Sequence, residues 1–136
     1  MAGSALADAG FLVALLSRRD RNHRWAALQS ERLVLPWTTC EAALSEAFHL
    51  LGAVGRPALS ELLRHGAVVP RFELRSELPR VLKLMQKYAS VPMSLADACL
   101  VRMSEILADP VVLTTDSDFR VYRRHSRQDI PCILPD

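Results

Sequence analysis

The side chains in this sequence best suited to chemistry are carboxylates set among apolar neighbours. Asp8 closes the run Ala5-Leu6-Ala7, and Glu46 sits within Ala42-Ala43-Leu44-Ser45-Glu46-Ala47-Phe48. Asp97 interrupts Met93-Ser94-Leu95-Ala96-Asp97-Ala98-Cys99-Leu100-Val101, and Asp116 follows Val111-Val112-Leu113-Thr114-Thr115. A charge buried in such surroundings is costly unless it is paired, hydrogen-bonded or bound to a metal. Acids brought together also repel one another, so either some are protonated at neutral pH or a divalent cation holds them. Oxygen ligands alone favour magnesium or manganese over zinc, and His23, His49, His65 and His125 share no metal-ligand spacing. One or two such ions beside a phosphate can polarise it, generate hydroxide and stabilise the leaving oxygen. The chemistry implied is metal-assisted hydrolysis of a phosphodiester. Each acid has a plain structural alternative as a cap or ion-pair partner. Ser94, for example, reads as a helix N-cap with Asp97 three residues later, where it completes a capping box and faces the positive end of the helix dipole.

Positioning these acids requires short strands and helices in alternation. Ala5 to Asp8 reads as a buried strand, Ala9-Gly10 as a tight turn, and Phe11 to Leu16 as a short helix. A second helix suits His23 to Ser30, and Leu33-Val34-Leu35 a second strand closed by Pro36. Thr38 or Thr39 can cap a helix running to about Leu51 and stopped by Gly52 and Gly55, with Pro57 opening another to about Arg64. Val68-Val69 begins a third strand, interrupted by Pro70, and Pro79 introduces a helix to about Tyr88. The Asp97 helix runs to Leu107, and Asp109-Pro110 turns the chain into the strand Val111-Val112-Leu113. A short helix follows from Asp118, and Cys132-Ile133-Leu134 supplies a last strand. This alternation points to a parallel sheet covered on both faces. Sites in such sheets form at the C-terminal ends of the strands, where Asp8 and Asp116 both fall. Glu46 has Ala42, Ala43 and Leu50 among its helical neighbours, which directs it inward or along the crevice.

The bulk numbers agree with one ordinary globular domain. The chain has 136 residues, 50% of them hydrophobic and 24% charged, which is enough apolar material for a core. A net charge of +2 and a pI near 8.6 are too mild to announce a nucleic-acid binder by themselves. Cys40, Cys99 and Cys132 follow no Cys-x-x-Cys spacing and read as reduced core thiols of a cytoplasmic protein. Phe11 to Leu16 is too short to span a bilayer, and neither a membrane nor a targeting segment is expected.

Four stretches in order are similar to the motifs of PIN-domain nucleases. They are Ala7-Asp8-Ala9-Gly10-Phe11-Leu12-Val13-Ala14-Leu15, Leu44-Ser45-Glu46-Ala47-Phe48-His49-Leu50-Leu51, Leu95-Ala96-Asp97-Ala98-Cys99-Leu100-Val101 and Leu113-Thr114-Thr115-Asp116-Ser117-Asp118-Phe119. Each motif alone is weak, but the set spans the chain with family-like spacing and resembles most the VapC-type toxins of toxin–antitoxin pairs. The resemblance implies a single PIN-like domain over residues 1–136, with a three-layer α/β/α fold around a mostly parallel sheet of four to five short strands. It also implies that Asp8, Glu46, Asp97 and Asp116 form a catalytic quartet around Mg2+ or Mn2+. Asp118 matches a further acid of the last motif and either joins the metal site or caps the next helix. Thr114 and Thr115 can order the ligands through their hydroxyls. Glu41 is a rival to Glu46 in the same helix, but the motif favours Glu46. Ala9-Gly10 stands where a Thr or Ser often follows the first acid.

The implied activity is endoribonucleolytic hydrolysis of RNA by the toxin of a VapBC-type pair, with a VapB-like antitoxin and a homodimeric assembly. Alternatives are a PIN nuclease of RNA maturation or decay, and a non-catalytic PIN module that binds RNA or a protein. Retention of all four acids argues against the last. Arg120, Arg123, Arg124 and Arg127 recur at helical spacing, and Arg18, Arg19, Arg21 and Arg24 crowd the other side of the Asp8 motif. Both clusters suit RNA phosphates, the alternative being ordinary solvated faces. Trp25 and Trp37 are expected to pack, not to stack on bases. Ala53 to Leu63 serves either the core or a partner surface.

Overall fold

The computed structural model of the protein describes residues 4–136. Its elements run β1 (Ser4–Ala7), α1 (Ala9–Leu16), α2 (His23–Arg32), β2 (Trp37–Thr39), α3 (Glu41–Arg64), β3 (Val68–Pro70), α4 (Leu74–Lys87) and α5 (Leu95–Ile106). They continue with β4 (Pro110–Leu113), a 3-10 turn (Ser117–Arg120), β5 (Arg123–Arg124), β6 (Gln128–Asp129) and β7 (Cys132–Ile133). Five strands form one parallel sheet in the order β3-β2-β1-β4-β7, and β5 and β6 make a separate antiparallel hairpin. In register, Ala7 lies opposite Leu113 and Leu6 opposite Thr38.

Parallel strands linked by helices are buried on both faces, so their residues are apolar throughout instead of alternating with polar ones. Leu6 and Val112 enter one core with Val81, Leu100, Val101, Phe119 and Tyr122. Ala5, Ala7 and Leu113 enter the other with Phe11, Leu12, Trp37 and Leu59. Helices α4 and α5 cover the first face, while α1, α2 and most of α3 cover the second. The result is the expected α/β/α sandwich, with five strands in its sheet.

Several local expectations are corrected. No turn separates Asp8 from the first helix: Asp8 is itself the N-cap, its Oδ1 accepting from Ala9 N–H at 2.7 Å, so α1 begins at once. The second strand is Trp37–Thr39, and Val34 and Leu35 lie exposed before it. Trp37 wins because its ring fills space edge-on to Phe11, at 5.3 Å between centroids, and Thr39 Oγ1 donates to the Ala7 carbonyl at 2.7 Å. The expected break at Gly52 is present: a φ of 64° and a ψ of −167°, which suit only glycine, divide α3 into two helices, and only the start of the second moves, to before Pro57. Gly55 stays helical, and the Leu51 side chain packs where its Cβ would be. Helix α4 starts at Leu74 instead of Pro79 because Leu74 already packs on the core. The helix expected after Asp118 is a single 3-10 turn followed by the hairpin, since His125 and Ser126 both take positive φ. Arg120, Arg123, Arg124 and Arg127 therefore share no helical face.

Candidate active site

Strand β1 is flanked by β2 on one side and β4 on the other, so the sheet order reverses beside β1, the position where open parallel sheets set a crevice at their C-terminal strand ends. Asp8 leaves β1 into this crevice and is only 6% exposed. Its backbone N–H donates to Leu113 O at 3.0 Å, tying it to the end of β4. Its Oδ2 accepts from Thr114 Oγ1 at 2.7 Å. Burial pushes the Asp8 carboxyl up to about 7; the Thr114 and Ala9 hydrogen bonds oppose this, and the charges of Asp97 and Glu46 add to it.

Thr114 joins two acids. While it donates to Asp8, the same hydroxyl oxygen accepts from Asp116 N–H at 2.9 Å. Asp116 Oδ1 in turn accepts from Asp118 N–H at 2.9 Å, capping the 3-10 turn. Partial burial, then the charge and hydrogen bond of Asp116, raise the Asp118 carboxyl from its ordinary value. Thr115 lies against Gly10, where a Cβ would overlap its hydroxyl, so the first turn of α1 needs glycine to approach this loop.

Asp97 stands in the first turn of α5 and is 8% exposed. Ser94 Oγ accepts from Asp97 N–H at 3.0 Å, the N-cap expected from the sequence. The Asp97 carboxylate accepts from the Tyr122 hydroxyl at 2.8 Å. Burial raises the Asp97 carboxyl, the Tyr122 bond lowers it, the charge of Asp116 raises it, and Ser94 lowers it. Capping and the crevice are thus two roles of one residue. Burial, then the Asp97 hydrogen bond, raises the Tyr122 phenol far above its ordinary range and keeps it a donor.

Glu46 is exposed on α3, at the rim of the crevice, yet near enough for its charge to act on Asp8. Glu41, the rival, is also exposed, in the first turn of the same helix. Among the described residues, no three Asp, Glu, His or Cys side chains are gathered closely enough to enclose a metal ion. The donor set nevertheless fits a hard divalent cation. Asp8, Glu46, Asp97 and Asp116 form no salt bridge with Lys, Arg or His among the described residues, where the ion pairs lie elsewhere. Asp8 and Asp97, buried, raised in part by neighbouring acids and without a basic partner among the described residues, are the groups such a cation would relieve. The cysteines offer no competing site: Cys40 and Cys99 are buried free thiols in contact with each other, and Cys132 is a partly buried free thiol.

The arginines divide. Arg123 Nη1 donates to the carbonyls of Arg120, Val121 and Tyr122, and its Nε lies 3.3 Å from Asp129. Arg124 Nη2 donates to Ser104 O at 2.5 Å and Leu107 O at 3.3 Å, closing the C-terminal end of α5. Arg120 and Arg127 are exposed. Trp25 and Trp37 both pack edge-on against Phe11. Tyr122 is the site residue missed in the sequence. Its signal was a phenol three residues after Phe119, since a buried tyrosine hydroxyl needs a partner.

The fold and these acids define a class: an α/β/α domain with a carboxylate-lined crevice at the switch point of a parallel sheet. The family model of the PIN domain matches residues 5–124, and the chain belongs to the PIN-domain family. That span takes in all four acids of the quartet. PIN domains are generally nucleases that use divalent metal ions. A comparison with curated proteins found no match. Among the described residues, no helix is long and apolar enough to cross a membrane.

Proposed function

We propose that the chain is a Mg2+- or Mn2+-dependent endoribonuclease, acting in the cytoplasm as the toxin of a VapBC-type pair. The observation that supports this reading is that two buried acids lie within electrostatic reach of other acids, Asp8 of Asp97 and Glu46 and Asp97 of Asp116, with no basic ion-pair partner among the described residues. Asp8, Asp97, Asp116 and Glu46 would hold the cation, with Asp118 beside them. A bound dication would act as a Lewis acid on the scissile phosphate and lower the pKa of a coordinated water.

The chain's own groups prepare that site. Thr114 holds Asp8 and Asp116 to one hydroxyl and so fixes the spacing of the β1 and β4 ends. Ala9 N–H and the start of α1 favour the ionised form of Asp8. Arg120 and Arg127 are the exposed cations of the motif's basic run and suit the flanking phosphates of an RNA strand. Among the described residues, no serine, cysteine or histidine forms an evident nucleophile–base pair, so direct attack by water is the reading. A VapB-like antitoxin covering the crevice and a homodimer complete the proposal, which a small antitoxin gene immediately upstream would support.

The test is to incubate the purified chain with a pool of cellular RNA, with and without Mg2+ or Mn2+, and to map new ends. Wild type should cut at defined sites only with metal. Asp8→Asn and Asp97→Asn should lose at least about a hundredfold of that activity while remaining folded, because an amide cannot replace the ligand charge. Equal cleavage by wild type and both variants would refute the site.

A further inference from the structure

Tyr122 is completely buried, and its ring position is held independently of its hydroxyl. It packs edge-on against Tyr88 and Phe119, with centroids 5.1 and 5.2 Å away. Its backbone N–H donates to Asp118 O at 3.1 Å, which anchors it to the loop that carries Asp116 and Asp118. Neighbouring Arg123 N–H donates to the Tyr88 hydroxyl at 3.0 Å, so the hairpin is tied to the end of α4 as well. Phenylalanine would fill this space and keep every one of these contacts. A buried hydroxyl, by contrast, carries a desolvation cost that is offset only by a hydrogen bond. That bond runs to Asp97 Oδ2 at 2.8 Å.

Resting on the nuclease reading above, we propose that Tyr122 is a positioning residue that orients the Asp97 carboxylate for cation binding. A tyrosine suits this task better than a cation would. A lysine or arginine at this place would neutralise Asp97 and compete with the metal, whereas a neutral O–H fixes the rotation of the carboxylate and leaves its charge in place. The contact also couples two separate segments. Asp97 belongs to α5, and Tyr122 to the segment following Asp116 and Asp118, so the phenol sets the first against the second. Thr114 does the same between Asp8 and Asp116. The crevice is therefore framed by two neutral hydroxyl donors, one for each buried acid.

The test compares wild type, Tyr122→Phe and Tyr88→Phe for direct Mn2+ binding, by electron paramagnetic resonance of the free ion, and for RNA cleavage as a function of Mn2+. Circular dichroism and a cooperative thermal transition check that the variants are folded. Tyr122→Phe should weaken Mn2+ binding by about 10- to 100-fold, the usual cost of losing a group that orients a ligand. Its half-saturating Mn2+ should rise by the same factor, with kcat at saturating Mn2+ within about twofold of wild type. Tyr88→Phe removes a phenol hydroxyl from the same aromatic cluster without touching an acid and should leave Mn2+ affinity unchanged. Wild-type affinity in Tyr122→Phe, or an equal loss in Tyr88→Phe, would overturn the positioning role while the nuclease reading stands. A wild-type chain that neither binds Mn2+ nor cuts RNA would overturn both.

Discussion

At the scale of single residues, the informative property is where a carboxylate is placed and what it lacks. Asp8 accepts from a hydroxyl and a backbone N–H, has no cationic partner among the described residues, and is pushed up to about 7 chiefly by burial. A carboxyl whose folded pKa exceeds its unfolded value of 3.8 costs nothing while protonated in both states, and stability falls as pH rises from that value toward 7. In chelator, the Asp8 contribution should decline across this window by up to roughly 4 kcal/mol and level off above it. Asp8→Asn should remove that part of the slope, as read from urea midpoints at several pH values. Saturating Mg2+ should protect wild type increasingly toward high pH, because the cation binds the ionised form. A wild-type slope that persists unchanged in Asp8→Asn would assign it to other groups.

At the scale of elements, the sequence was legible where a run of apolar residues had one fate. The strands ending at Asp8 and Asp116 and the helix of Asp97 were recognisable because their residues are buried on nearly every side. It misled where local signals competed with packing. Leu33-Val34-Leu35 is the more apolar run, yet Trp37–Thr39 pairs with β1 because its side chains reach Phe11 and Ala7. The arginine spacing after Asp116 imitates a helix, but Arg124 turns back to the carbonyls ending α5 and Arg123 to those of its own turn. Gly52 gives a test at this scale. Its backbone lies in a region reserved to glycine, and nothing lies within 4 Å of a built Cβ, so only backbone strain opposes a side chain. Gly52→Ala should cost about 1–3 kcal/mol in a denaturant titration, with the crevice acids unaffected. A neutral or stabilising result would show that the break in α3 relaxes.

At the scale of the whole molecule, the crevice exists because β4 lies beside β1 although some hundred residues separate them in the chain. On the nuclease reading, substrate would approach this edge, and Arg120 and Arg127 are exposed basic groups on the segment that follows Asp116. Replacing both by alanine should weaken binding of single-stranded RNA and flatten the plot of log affinity against log salt by up to about 1.4, at about 0.7 for each phosphate contact. Arg124→Ala should instead lower the melting temperature and leave the salt slope alone, since that side chain closes α5. An unchanged slope in the double variant would return Arg120 and Arg127 to ordinary solvated surface.

By itself the sequence determined the type of domain, the order of its main elements and the acids worth suspecting, because burial imprints composition directly on short strands and helices. Only the tertiary structure decided which hydroxyls hold those acids, that Glu46 stands on the rim, and that two of the four suspected arginines are spent on backbone carbonyls. Such pairings join residues as distant as Asp8 and Thr114, and no local pattern encodes a partner that the chain meets only after the sheet has formed.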